Sequence, residues 1–152
     1  MSLELRDKAL EEVHAYFALT ADEYRQELID AGNTLEAANR NVEATRAQLF
    51  DGDDVAQGQF ILDVLRGDEK VGTLWLAAKT ATDWWIYDIV VDPEFRGTGL
   101  GRPTLRAAEE FVRSRGGTRL GLNVFGPNKV ARHLYDAVGY EVVSTQMLKD
   151  LS

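Results

Sequence analysis

Three glycines stand behind an arginine in Arg96-Gly97-Thr98-Gly99-Leu100-Gly101, between an apolar run and a helix-forming stretch. Glycine backbones let a ligand come close, and free N–H groups at a helix start make a ready site for an anion. The chemistry this spacing supports is the binding of a phosphate or pyrophosphate. Two familiar phosphate loops fail on spacing. A dinucleotide fingerprint ends in glycine or alanine as G-x-G-x-x-G/A. From Gly97 that last place holds Arg102, and from Gly99 it holds Thr104. A P-loop closes on Gly-Lys-Ser/Thr, and the chain has no Gly-Lys pair. What remains is Arg-x-x-Gly-x-Gly at Arg96, Gly99 and Gly101.

A second pattern follows. Arg119 to Val124 alternates like a strand, Phe125-Gly126-Pro127 breaks it, and Pro127 suits a helix start. Asn128, Arg132 and Tyr135 then fall at i, i+4 and i+7 on one helical face. Ala131, Leu134 and Val138 form an apolar face, and Gly139 ends the helix. The two stretches, Arg-x-x-Gly-x-Gly and Asn-x-x-Ala-x-x-Leu-Tyr-x-x-x-Gly-Tyr, resemble the two signatures of the GNAT family of N-acetyltransferases. They stand in the right order and at a plausible separation, and two together are more specific than either alone.

That resemblance implies coenzyme A as the ligand and acetyl-CoA as the co-substrate. The pyrophosphate is expected on the N–H groups of Gly97, Thr98, Gly99, Leu100, Gly101 and Arg102, with Arg96 adding positive potential. In the family fold the strands ending at Val91 and Val124 part, and the pantetheine arm enters the gap as an added strand. Ile89 and Val91 are expected to face that arm together. Asn123, at the end of the second strand, joins the cofactor set. Asn128 joins it too, although capping its own helix explains that residue equally well.

Attack of an amine on a thioester expels a thiolate, and the resemblance assigns its protonation to Tyr135. The oxyanion is expected on the backbone N–H of Ile89 or Val90. For the base, Asp88 is chosen over Tyr24, Tyr87 and Glu23, although strand alternation leaves open which face it takes. The implied function is direct transfer of acetyl from acetyl-CoA to a primary amine of a small molecule or peptide, in a ternary complex. The alternatives are a non-catalytic acyl-CoA binding or regulatory module on the same fold and, less favoured, an unrelated α/β nucleotide binder.

The elements that must position these residues follow from periodicity. Leu3 to Arg6 reads as a short strand. Lys8 to Ala31 is helical, with a kink or fresh cap at Thr20-Ala21-Asp22-Glu23, and Thr34 caps a second helix through Leu49. Asp51 to Gly58 reads as a polar loop. Gln59–Leu65 and Val71–Ala78 form a hairpin, and Trp84–Val91 a third strand. After the loop come a helix from Leu105 to Arg113, the strand and helix above, and a last strand from Tyr140 to Met147. The order is β-α-α-β-β-β-α-β-α-β. It predicts a single α/β (α+β) domain over 1–152, with a mixed sheet of about six strands and helices on both faces.

Composition sets bounds on partners. Hydrophobic residues are 45% of the chain, enough for a folded core. There is no cysteine, so no thiolate nucleophile or disulfide is available. His14 and His133 are the only imidazoles; they read as surface or packing side chains, and no metal is expected. No apolar signal region opens the chain and no apolar run spans a bilayer, so a cytoplasmic, non-membrane protein is expected. Residues 1–60 hold 13 acidic against 5 basic side chains, and the rest 12 against 12, so the net charge of −8 lies in the first part. That bias disfavours nucleic acid and suits a cationic acceptor. Glu23, Glu27 and Asp30 share a helical face beside Tyr24, and Tyr87 joins them as a candidate acceptor wall. Oligomeric state stays open, a homodimer included.

Overall fold

The computed structural model describes residues 2–124 and 126–152; Phe125, placed at the strand break above, lies outside them. Strand β1 (Glu4–Asp7) leads into helix α1 (Leu10–Asp30) and helix α2 (Leu35–Leu49). Val13, Phe17 and Ala21 are buried at i, i+4 and i+8, and Tyr24 packs against the same cluster. This stripe runs unbroken through Thr20–Glu23, so α1 continues where a kink was expected. The Thr34 hydroxyl accepts from the Ala37 N–H at 3.1 Å and caps α2 as its sequence predicts.

The expected polar loop after α2 holds a two-strand ribbon, β2 (Phe50–Asp51) against β3 (Asp54–Val55). His14 ties it to α1: its ring stacks on Phe50 with centroids 4.5 Å apart, and its Nε2 lies 2.8 Å from the Asp53 carbonyl. Strands β4 (Gln59–Arg66), β5 (Glu69–Ala78) and β6 (Asp83–Val91) form an antiparallel meander, and β1 pairs antiparallel with β4. Helix α3 (Gly101–Ser114) starts four residues before the expected Leu105 and holds Pro103 in its first turn, where a missing N–H costs little. Strand β7 (Arg119–Leu122) pairs parallel with β6, and α4 (Lys129–Ala137) closes the order.

The main sheet has five strands, ordered β1-β4-β5-β6-β7. The strand expected over Tyr140–Met147 is not formed, and residues 140–152 carry no regular structure. The sequence there gives the reason: Val142-Val143 and Met147-Leu148 are adjacent apolar pairs around Ser144-Thr145-Gln146, so neither face of a strand would be apolar. The segment runs instead toward the α1–α2 turn, where Leu148 Cδ2 approaches Gly32.

Helices cover both faces of the sheet. On one, Leu62, Leu74, Leu76 and Ile86 meet Leu105, Ala108 and Val112 of α3 and Tyr135 of α4. On the other, Ile61 and Trp75 meet Val13, Phe17 and Ala21 of α1 and Val42 and Leu49 of α2. Among the described residues no helix is long and apolar enough to cross a membrane.

Candidate active site

The register of the sheet makes the opening. Strands β6 and β7 pair from Asp83 opposite Arg119 to Ile86 opposite Leu122, and there β7 ends. Strand β6 continues to Val91, paired only with β5. Its other edge, from Tyr87 onward, is bare among the described residues and lies beside Asn123 and Val124. An exposed edge of this kind accepts an added strand.

The β5–β6 ladder slips at the same place. Trp75 stands opposite Asp88 while Leu76 stands opposite Ile86, which leaves Tyr87 as an extra residue, a β-bulge. The bulge shifts the phase of the strand. Ile86, Ile89 and Val91 pack toward α3 and α4, and Tyr87 tilts against Trp75 on the α1 face with ring centroids 5.0 Å apart. Asp88 also turns to the α1 face, where the Tyr16 hydroxyl donates to its Oδ2 at 2.5 Å. Unbroken alternation would have driven this carboxylate into the apolar core beside Ile86, at high cost.

A cavity of about 740 Å³ occupies this face. Glu23, Tyr24 and Glu27 line it from α1, Tyr87 and Asp88 from β6, and Tyr135 from α4. All four residues expected on the acceptor side are thus brought together with both expected catalytic residues. Asn123 and Val124 lie at its edge, and Tyr140 to Gln146 form another wall. Asp30 is not part of it: it lies at the end of α1 in solvent, accepting from Gln26 at 2.9 Å. Trp85 contributes a ring that lies against Gly121, where a methyl group would meet it at 2.5 Å.

The ionisable groups perturb one another. Burial raises the Asp88 pKa above the usual carboxylate range; the Tyr16 hydrogen bond opposes that shift, Glu23 adds to it, and the Ile89 amide opposes it. Glu27 is raised by burial, then by the charges of Asp88 and Glu23. Burial and then Asp88 raise the Tyr135 phenol, so it keeps its proton at neutral pH. Tyr24 is raised by burial and by Glu27.

A second hollow, about 460 Å³, adjoins the start of α3. It is lined by Val91, Arg96, Gly97, Gly99, Leu100, Gly101 and Arg102, facing Val130, His133 and Leu134 of α4. Gly97 and Gly99 have φ of 74° and 80°, which side-chain-bearing residues rarely adopt. The Arg96 Nε donates to the Val91 carbonyl at 3.1 Å, fixing the loop to the end of β6. The Thr98 hydroxyl donates to the Phe95 carbonyl, so its side chain serves the loop itself. Asn128 Oδ1 accepts from the Ala131 N–H at 3.2 Å and lines neither hollow. Its side chain is a helix cap. Ile89 packs on the core and lines neither hollow, so its place in the cofactor set rests on its backbone.

Tyr16 escaped the sequence reading, although a signal was present. Tyr16, Thr20, Glu23 and Glu27 recur at i, i+4, i+7 and i+11, which is one face of α1. His133, read as surface or packing, lines the second hollow. The Tyr140 to Gln146 wall was hidden by its assignment to a strand.

The family model described as Acetyltransferase (GNAT) family matches residues 14–140. The chain is 29% identical to the N-acetyltransferase YdgE of Bacillus subtilis, over 99% of each chain. It is 30% identical to the N-acetyltransferase YycN of the same organism, over 99% of this chain and 100% of the relative. A crystal structure of YycN superposes with a TM-score of 0.88 at 28% identity, covering 99% of both. A shorter match, 35% identical over 59% of this chain and 51% of the relative, is to streptothricin acetyltransferase of Streptomyces lavendulae.

Proposed function

The chain belongs to the GNAT family of acetyltransferases, and on that premise we propose that it moves acetyl from acetyl-CoA directly to a primary amine of a small, cationic acceptor. The observation that carries this reading is the meeting of Asp88 and Tyr135 in one cavity where β6 and β7 part. A module that only bound acyl-CoA would have no use for that pair.

The residues present fit the cofactor. The second hollow sets two glycines with positive φ, Arg96, Arg102 and the N-terminus of α3 around one space, a donor set suited to a pyrophosphate. The bare edge of β6 beyond Ile86 suits the amides of the pantetheine arm. Bound acetyl-CoA supplies an activated acyl group with a thiolate leaving group.

The protein's own residues then have separate tasks. Asp88 takes one proton from the acceptor's ammonium, freeing the nitrogen lone pair. The backbone N–H of Ile89, on the open edge of β6, meets the carbonyl oxygen as it gains charge, whereas the Val90 N–H is turned into the ladder with Thr73. As the N–C bond forms and the C–S bond breaks, the Tyr135 O–H gives its proton to sulfur. The nitrogen's second proton restores Tyr135, and one proton leaves through Asp88 per turnover. Glu23 and Glu27 add negative potential that draws a cation toward Asp88.

A panel of amines assayed with acetyl-CoA for thiol release tests the reading. Turnover with cationic primary amines supports it. Coenzyme A bound, yet no thiol released with any amine, replaces it by the non-catalytic module.

A further inference from the structure

Behind the cavity wall, Tyr16 is held by α1 with its hydroxyl on Asp88 Oδ2 at 2.5 Å, and it does not itself line the cavity. The carboxylate has a second oxygen. We propose that Tyr16 is the positioning residue for Asp88: it occupies Oδ2 from behind and so turns Oδ1 toward the acceptor's ammonium.

The argument is geometric first. A carboxylate on a strand rotates about its side-chain bonds, and a base works only when one oxygen points at the proton it takes. The bulge at Tyr87 brings Asp88 to the α1 face, and a rigid aromatic side chain from α1 then fixes one oxygen. Removing a proton from the ammonium breaks an N–H bond and forms an O–H bond at Oδ1, with no other reactant required. Tyr16 does not compete for that proton, since burial and then the Asp88 charge push its own hydroxyl well above its ordinary value.

The other groups facing Asp88 do not replace it. From α1, Glu23 and Glu27 bring like charge. From α4, Tyr135 faces it as a neutral phenol, while Arg132 and Asp136 pair with each other at 3.1 Å along the same helix, both half exposed. Trp75 of β5 carries no charge, and Glu141 lies on the far wall. Among these side chains Tyr16 is the hydrogen-bond donor to the carboxylate.

This inference rests on Asp88 acting as the base, so its test has one arm without substrates. The Asp88 carboxyl carbon is followed by NMR through an acid titration in the wild type and in Tyr16→Phe, with Asp88→Asn identifying the signal. Loss of the donor moves the midpoint upward, because the ionised form loses its partner. In the second arm, the acid limb of kcat/KM moves the same way: Tyr16→Phe loses about fivefold more activity at pH 6 than at pH 8. In the Asp88→Asn background the Tyr16 change adds no further pH dependence. An unchanged midpoint, or an equal loss at every pH, overturns the assignment and leaves Tyr16 as packing. Absence of thiol release with every amine overturns the transfer reading itself, a result the substrate-free titration keeps distinct.

Discussion

Trp75 and Asp88 face each other across the β5–β6 ladder, and the next pair along is Leu76 with Ile86, so Tyr87 has no partner of its own. One surplus residue in β6 therefore decides which way a carboxylate points. It places Asp88 beneath α1, on the face that carries Trp75 and Tyr87, instead of in the apolar core. Bulges bend and twist a strand as well as shifting its phase, and this one stands where β6 parts from β7.

Tyr135→Phe keeps the buried ring and removes only the hydroxyl. The expected outcome is a fall in kcat of about 100-fold, typical of a lost general acid, with coenzyme A affinity unchanged by calorimetry. Loss confined to kcat marks an interaction made in the transition state. An unchanged kcat, with chemistry shown to limit turnover, removes Tyr135 from the mechanism.

Asp88→Asn separates stability from activity. The folded chain raises the Asp88 pKa, so its ionised form is disfavoured relative to the unfolded chain. The stability linked to it is fully present below the unfolded carboxylate range and lost as pH rises through the folded midpoint. The variant escapes that loss: its Tm should exceed the wild type's at pH 8, and the gap should close toward about pH 4. Its kcat/KM should fall by about 100-fold. Thermal melts at the two pH values check the sign.

Gly99→Glu tests the loop. Gly99 has a φ of 80° in a hollow lined by arginines, and glutamate there brings backbone strain, bulk and negative charge at once. Coenzyme A binding by calorimetry should vanish while the far-ultraviolet spectrum is kept. Retained affinity would move the pyrophosphate elsewhere.

Glu23→Gln with Glu27→Gln should raise the KM for a cationic amine about threefold to fivefold, the scale of partly exposed charge pairs. Coenzyme A affinity should not change. In the wild type the same KM should rise with salt as screening grows. Flat responses in both series would assign acceptor choice to the strand aromatics Trp85 and Tyr87 instead.

Much of this site was legible because its signals are local. The glycines behind Arg96 stand out by spacing and do line one hollow, while Tyr135 was singled out through the resemblance its helix carries and lies in the cavity with Asp88. The Tyr16–Asp88 contact joins residues 72 apart in the chain, and no periodicity within either element reports on the other. The bulge was hidden for a related reason, since it is a property of the pairing between β5 and β6. The C-terminal segment, read as a strand over Tyr140–Met147, misled because neither face of such a strand would have been apolar. Asn128 had two local explanations, and the Ala131 contact favours the cap.

The sheet separates two cores. The α3 and α4 side holds the glycine loop proposed for the cofactor, and the α1 and α2 side holds the carboxylates proposed for the acceptor. Substitutions on the two sides fall in different packing clusters, so they should combine nearly additively. A lineage could then exchange the α1–α2 hairpin, and with it the amine it serves, while the machinery for its acyl donor stays intact. The same partition makes that hairpin the natural unit for grafting a new acceptor specificity onto this scaffold.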